Sequence, residues 1–313
     1  MIGVSGTTKN LGVIGWPIAH SLSPAMQAAA IRSAGLDYAY IAMPVRPEAL
    51  PAAAEGLKSL GFRGFNVTIP HKSAVMALLD EVDEDARRIG AVNTVVNENG
   101  RLLGHNTDVT GFLRGLSRQG VTVKGKRAVV LGAGGAARAV IWGLIREGAA
   151  GIVVGVRNAS KAQEALADFA AETEVLSWDG DAFAGALASA DILVNTTPLG
   201  MTPKTEKMPP VDWSRVQKDA FVYDIIYTPG CTRFLREAKA HGHRVTNGVA
   251  MLVGQGAEAL LLWTGVQPDA GAMEQALLAA LAEKKMEVAH EERCGSFGKG
   301  TLHRAAAERR SGK

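Results

Sequence analysis

The chain has 313 residues, enough for two domains with cores of their own, and its alanine- and glycine-rich, aromatic-poor composition is that of a water-soluble α/β protein. Its formal charge of +3 does not mark a nucleic-acid binder: from Lys284 onward eight Lys/Arg accompany four Asp/Glu, so residues 1–283 carry about −1. Cys231 and Cys294 lie far apart, the histidines are scattered and no apolar run approaches ~18 residues, which argues against a disulfide framework, a zinc site and a membrane span.

The first residues mix Gly, Ser, Thr and Lys and do not read as a signal peptide, so a cytoplasmic protein is expected. Leu11 to Gly15 reads as a strand ending in a Gly-Trp-Pro turn. Ser23 and Pro24 have the chemistry of an N-cap and first helical residue for a helix reaching Ser33. Tyr38 to Met43 is expected as a strand, Pro47 to Leu60 as a helix and Gly64 to Ile69 as a strand. Ser73 to Leu79 and Asp83 to Ile89 look helical. Val92 to Val96 and Arg101 to Gly104 flank Asn99-Gly100, a hairpin turn pair.

A helix near Asp108 to Gln119 leads into a different pattern. Arg127 to Leu131 is a continuous apolar strand, followed by helix at Ala136 to Glu147, strand at Gly151 to Val156 and helix at Ser160 to Ala171. Ile192 to Asn195 and Phe221 to Ile225 read as further strands. The alternation predicts a doubly wound parallel sheet. Gly248 to Trp263 and Gly271 to Lys285 read as helices that pack back on the first domain. The expected division is 1–112, 113–247, 248–285 and a disordered basic tail at 286–313, where apolar periodicity fades.

Gly132-Ala133-Gly134-Gly135-Ala136-Ala137 joins an expected strand to an expected helix, the context that gives a glycine motif meaning. The first glycine permits the turn, the second lets backbone N–H groups approach a pyrophosphate, and the small Ala137 lets helix and strand pack closely. The next strand ends in Val156-Arg157-Asn158-Ala159-Ser160-Lys161, which has no carboxylate for a ribose 2′-hydroxyl. Arg157 suits a 2′-phosphate, so NADP is expected over NAD; an exposed charge at a strand end is the other reading.

Three polar knots precede this turn: Gly61 to Lys72 (GFRGFNVTIPHK), Gly90 to Thr94 (GAVNT) and Gly104 to Asp108 (GHNTD). A lysine and an aspartate beside a dinucleotide site are what an alcohol–ketone oxidoreductase needs, since the cofactor takes the hydride and a side chain takes the hydroxyl proton. From the residues alone, Lys72 and Asp108 read equally as a proton-handling pair and as an ion pair joining two loops.

In this order GWPIAHSLSP, GFNVTIPHK, GAVNT, GHNTD, LGAGGAARA, NTTPLGM, YDIIY and MLVGQGAE resemble the shikimate dehydrogenase family, the shikimate/quinate 5-dehydrogenases, from Leu11 to about Leu281. The resemblance implies an α/β fold with an N-terminal substrate-binding domain and an NADP-binding Rossmann domain. It also implies reversible reduction of 3-dehydroshikimate to shikimate with NADPH, in aromatic amino-acid biosynthesis. It gives Lys72 the role of general acid/base and makes Asp108 its partner, holding the substrate hydroxyl and the ammonium in place. Ser21 and Ser23 match the serines that bond the substrate carboxylate, Thr68, Asn93 and Gln255 match groups on its hydroxyls or carboxylate, and Tyr227 a tyrosine at the carboxylate end. Asn66 is a weaker addition.

For the cofactor the family pattern carries onto Gly132, Ala133, Gly134, Gly135 and Ala136, and onto Val156, Arg157, Asn158, Ala159, Ser160 and Lys161. Glu84, Ile225 and Gly248 match positions near the nicotinamide end. His20 and His71, inside the motifs, read as scaffold. The family's usual Asn-Arg-Thr is Val156-Arg157-Asn158 here, which leaves strict NADP selectivity open. The alternatives are a quinate or dual quinate/shikimate enzyme using NAD, and a non-catalytic NADP/cyclitol sensor, whose mark would be loss of Lys72 or Asp108; both are present. The expected partner is a small molecule, with no nucleic acid and no membrane, on a monomer or homodimer.

Overall fold

In a computed structural model, residues 4–284 are described, so the expected basic tail lies outside the described residues. The chain begins β1 (Lys9–Gly15), α1 (Ser23–Ser33), β2 (Tyr38–Pro44), α2 (Leu50–Ser59), β3 (Gly64–Val67), β4 (Glu81–Val82), α3 (Glu84–Ile89), β5 (Thr94–Glu98), β6 (Arg101–His105) and α4 (Asp108–Ser117). These strands form one mixed sheet in the order β2-β1-β3-β5-β6-β4. Asn99 and Gly100 both take positive φ, 54° and 87°, as the two-residue turn between β5 and β6 requires.

The second half runs β7 (Arg127–Leu131), α5 (Gly135–Arg146), β8 (Gly151–Val156), α6 (Ala159–Ala165), β9 (Thr173–Ser177), α7 (Asp181–Ala188), β10 (Ile192–Asn195), β11 (Phe221–Asp224), α8 (Arg233–Ala240) and β12 (Arg244–Thr246). All its strands are parallel, in the order β12-β11-β10-β7-β8-β9. The direction of winding reverses between β7 and β10, which opens a crevice at the carboxyl ends of those strands. The apolar run of β7 is buried on both faces, as a central parallel strand should be.

The chain ends, among the described residues, with α9 (Val249–Thr264) and α10 (residues 270–284). Both helices pack against the first sheet: Val253, Leu260 and Trp263 of α9, with Met273 and Leu277 of α10, share one buried cluster with Leu11, Val13 and Met26. Trp263 is fastened there because its indole N–H donates to Val95 O at 2.9 Å.

Several elements differ from the sequence reading. The helix read at Ser73 to Leu79 is a 3-10 turn at Ala74–Leu78, and the Pro47 helix opens as a 3-10 turn before α2. β4, β9, α7, α8 and β12 were not expected. Ser23 is not the cap of α1: Leu22 occupies that position without a side-chain cap, while the Ser23 backbone N–H donates to Ser21 Oγ at 3.3 Å. The Ser23 hydroxyl is therefore spared from capping.

Candidate active site

A cavity of about 280 Å³ opens between the two sheets, beyond the carboxyl ends of β1, β3 and β11. It is lined by Ser21, Ser23, Thr68, Lys72, Asn93, Asp108, Tyr227 and Gln255, so the fold brings together all eight side chains singled out for substrate and catalysis. The elements explain the convergence. β1 delivers the serine loop, β3 delivers Asn66, Thr68 and Lys72, the turn before β5 delivers Asn93, and α4 begins at Asp108. From the other side α9 contributes Gln255, and the segment after β11 contributes Tyr227.

The Lys72 ammonium donates to Asp108 Oδ2 at 2.5 Å, with both side chains largely shielded from solvent. Asp108 Oδ1 accepts from Asn93 Nδ2 at 2.9 Å, and its backbone N–H donates to Asn106 Oδ1 at 3.0 Å. Asn93 is itself held by the Thr107 backbone N–H, which donates to its Oδ1 at 2.8 Å. The pair is thus preorganised at the cavity wall, where a charge-assisted hydrogen bond is strengthened by reduced solvent screening. Gln255 Nε2 donates to Leu252 O at 2.9 Å, which leaves its carbonyl oxygen free to accept. Burial pushes the Tyr227 phenol up, so the hydroxyl stays protonated and can donate.

The dinucleotide turn sits at the crossover of the second sheet. Gly132 has φ 108°, and a Cβ there would meet Thr196 Oγ1 at 2.9 Å, so only glycine suits this position. Gly134 and Gly135 are exposed at the start of α5 with nothing within 4 Å of an added Cβ, which leaves an open approach to the helix N-terminus. These residues fit a diphosphate. Arg157, Ser160 and Lys161 are exposed beyond β8. Asn158 Oδ1 is already engaged, accepting from the Lys161 backbone N–H at 3.0 Å as the cap of α6.

Ala136, Ile225 and Gly248 line the cavity itself and join the two halves of the site. A Cβ on Gly248 would overlap Ile225 O, so this close approach requires glycine. Glu84 is different: it is exposed at the start of α3 and is not part of the cavity lining. His71 is buried and bonds Val45 O at 2.7 Å, a scaffold arrangement, whereas His20 lines the cavity. Among the described residues, no group of three or more His, Cys, Asp or Glu is placed to hold a metal ion.

The sequence matches three family profiles in succession: shikimate dehydrogenase substrate binding domain over residues 13–95, shikimate/quinate 5-dehydrogenase over 116–225 and shikimate 5′-dehydrogenase C-terminal domain over 248–278. A shikimate dehydrogenase (NADP(+)) from Geobacter metallireducens is 45% identical over 284 residues, covering 89% of this chain and 99% of that protein. The chain belongs to the shikimate dehydrogenase family. It is an oxidoreductase of that family.

Solved shikimate dehydrogenases share its fold. One, in complex with NADP+, is 40% identical with a TM-score of 0.84, covering 89% of this chain and 98% of its own. Another, from Thermus thermophilus in complex with NADP(H) and shikimate, is 41% identical with a TM-score of 0.79, covering 87% and 100%. Within this shikimate dehydrogenase fold the sequence reading missed Ile18, Ile69, Met251 and Leu252 of the cavity wall. Their positions inside GWPIAHSLSP, NVTIPHK and MLVGQGAE were the available signal; apolar residues in a motif are easily assigned to the core.

Proposed function

We propose that the enzyme interconverts 3-dehydroshikimate and shikimate using NADPH and NADP+, with Lys72 as general acid/base. The observation that carries this reading is the Lys72–Asp108 pair facing a cavity whose other polar lining is mostly hydroxyl, amide and phenol groups. Neutral groups that both donate and accept suit a polyhydroxylated ring, and the short hydroxyls of Ser21 and Ser23 suit its carboxylate. NADPH supplies the hydride when bound, held at Gly132 to Ala136 and by Arg157, Ser160 and Lys161 at its 2′-phosphate.

In the reducing direction the Lys72 ammonium gives its proton to the oxygen that becomes the hydroxyl; in oxidation the amine takes that proton back. Asp108 holds the lysine and the substrate hydroxyl in register, and Asn93 holds Asp108. Residues 1–112 form the substrate unit, 113–247 the dinucleotide unit, and 248–285 the return to the first. A cytoplasmic monomer or homodimer fits this reading, and among the described residues no helix is long and apolar enough to cross a membrane.

The test is Lys72→Ala. Turnover with shikimate and NADP+ should fall by ~10²–10⁴ while NADP+ affinity, read by fluorescence titration, is unchanged. Turnover near that of the unaltered enzyme would sink the assignment of Lys72.

A further inference from the structure

A continuous line of hydrogen-bonded polar side chains leads to Asp108, and two of its members, Tyr40 and Thr94, have no part in the roles above. Tyr40 on β2 is 7% exposed, yet its hydroxyl donates to Asn66 Oδ1 at 2.7 Å. That bond fixes the orientation of the Asn66 amide, whose Nδ2 then donates to Asn93 O at 3.1 Å and to Thr94 Oγ1 at 3.0 Å. Having accepted there, the Thr94 hydroxyl donates to Asn93 Oδ1 at 3.0 Å. Asn93 Oδ1 is thereby committed to acceptance, so Nδ2 is the atom that reaches Asp108. Every link has one direction, from phenol to carboxylate.

We propose that Tyr40 and Thr94 are positioning residues for the reaction: through Asn66 and Asn93 they hold the Asp108 carboxylate, and with it Lys72, in the orientation that proton transfer requires. Neither residue lines the cavity, so neither acts on substrate directly. Burial pushes the Tyr40 phenol far above its ordinary value, which keeps it a donor throughout the working range and preserves the direction of the chain. Cutting the Tyr40 link leaves Asn66 Oδ1 without its donor, and cutting the Thr94 link removes one of the donors that orient the Asn93 amide, the Thr107 backbone N–H being another.

The inference rests on the proposed roles of Lys72 and Asp108, and its test separates the two. Full-length Tyr40→Phe, Thr94→Val, Thr94→Ser and the Tyr40→Phe/Thr94→Val double variant are compared with the unaltered enzyme on shikimate and NADP+. Sites are counted by NADPH fluorescence so that kcat refers to folded molecules. Tyr40→Phe and Thr94→Val should each lower kcat about tenfold, with KM for NADP+ unmoved within about twofold. Thr94→Ser, which keeps the hydroxyl, should retain most of the turnover. The double variant should fall little below the worse single one, because either cut disconnects the same line.

Unchanged kcat per site in Tyr40→Phe and Thr94→Val overturns the proposal. So does a loss equal in Thr94→Ser and Thr94→Val, or losses that multiply in the double variant. Absence of turnover in the unaltered enzyme would instead overturn the functional reading beneath it.

Discussion

Asp224, at the end of β11, is fully buried and accepts hydrogen bonds from Thr232 Oγ1 at 2.6 Å, Asn195 Nδ2 at 3.1 Å and the Ile226 backbone N–H at 3.1 Å. Through Asn195, whose Oδ1 also accepts from Thr197, it ties the loop beside Gly132 to the segment that carries Ile225 and Tyr227. Burial outweighs the three donors and pushes its carboxyl up to about 6. A raised acid pKa means the folded chain binds the proton more tightly than the unfolded one. Its contribution to stability is therefore greatest below the unfolded value and is lost as pH rises from about 4 to about 6. In urea unfolding, the stability of the unaltered enzyme relative to Asp224→Asn should be greater near pH 4.5 than near pH 7.5 by roughly 2 kcal/mol. An equal difference at both pH values would contradict this account of the carboxyl. At this scale the site was largely legible, because Lys72, Asp108, Asn93 and the serines sit inside motifs whose polar residues interrupt apolar strands. Tyr40 and Thr94 were not, since a tyrosine in a strand and a threonine beside an asparagine look like ordinary sheet residues until their partners are seen.

The seam between the two sheets is built by α3 against α5. Asp85 accepts from the Trp142 indole at 2.9 Å and pairs with Arg146, while Arg138 reaches back to Ile89 O and pairs with Asp168 at 2.6 Å. Asp85→Ala strands the Trp142 N–H in a half-buried place and should cost about 1–2 kcal/mol, read as a lower urea midpoint with unchanged slope; an unmoved midpoint would show that the seam is not cohesive. Trp263→Ala on α9 removes the largest fully buried side chain of the first core and should cost about 3–5 kcal/mol by the same measurement. A loss under ~1 kcal/mol would mean that α9 is not anchored through this residue. Continuous apolar strands were readable, with β7, β8 and β10 matching their expected bounds. Among the missed ones, β12 has three residues, β4 two, and α8 (RFLREAKA) buries only Phe234, Leu235 and Ala238. Their place is decided by the neighbours they pack against, which a local pattern does not record.

For the whole molecule, the two sheets meet around a cleft whose walls carry different tasks. Lys72, Asp108 and the serines lie on one side, and the glycine turn at α5 on the other, with Ile225 and Gly248 between them. Bringing substrate and dinucleotide together requires both walls, so closure on binding is expected. It predicts a smaller radius of gyration by solution X-ray scattering with shikimate and NADP+ together than with neither; an invariant profile would argue for a fixed cleft. Absorbance at 340 nm reads the assigned reaction itself. The purified enzyme is given shikimate or quinate, each with NADP+ or NAD+. Turnover strongest with shikimate and NADP+ is the predicted result. Dominance of quinate or NAD+ would contradict the reading of the serine pair or of Arg157, and no turnover with any pair would contradict the assigned reaction itself.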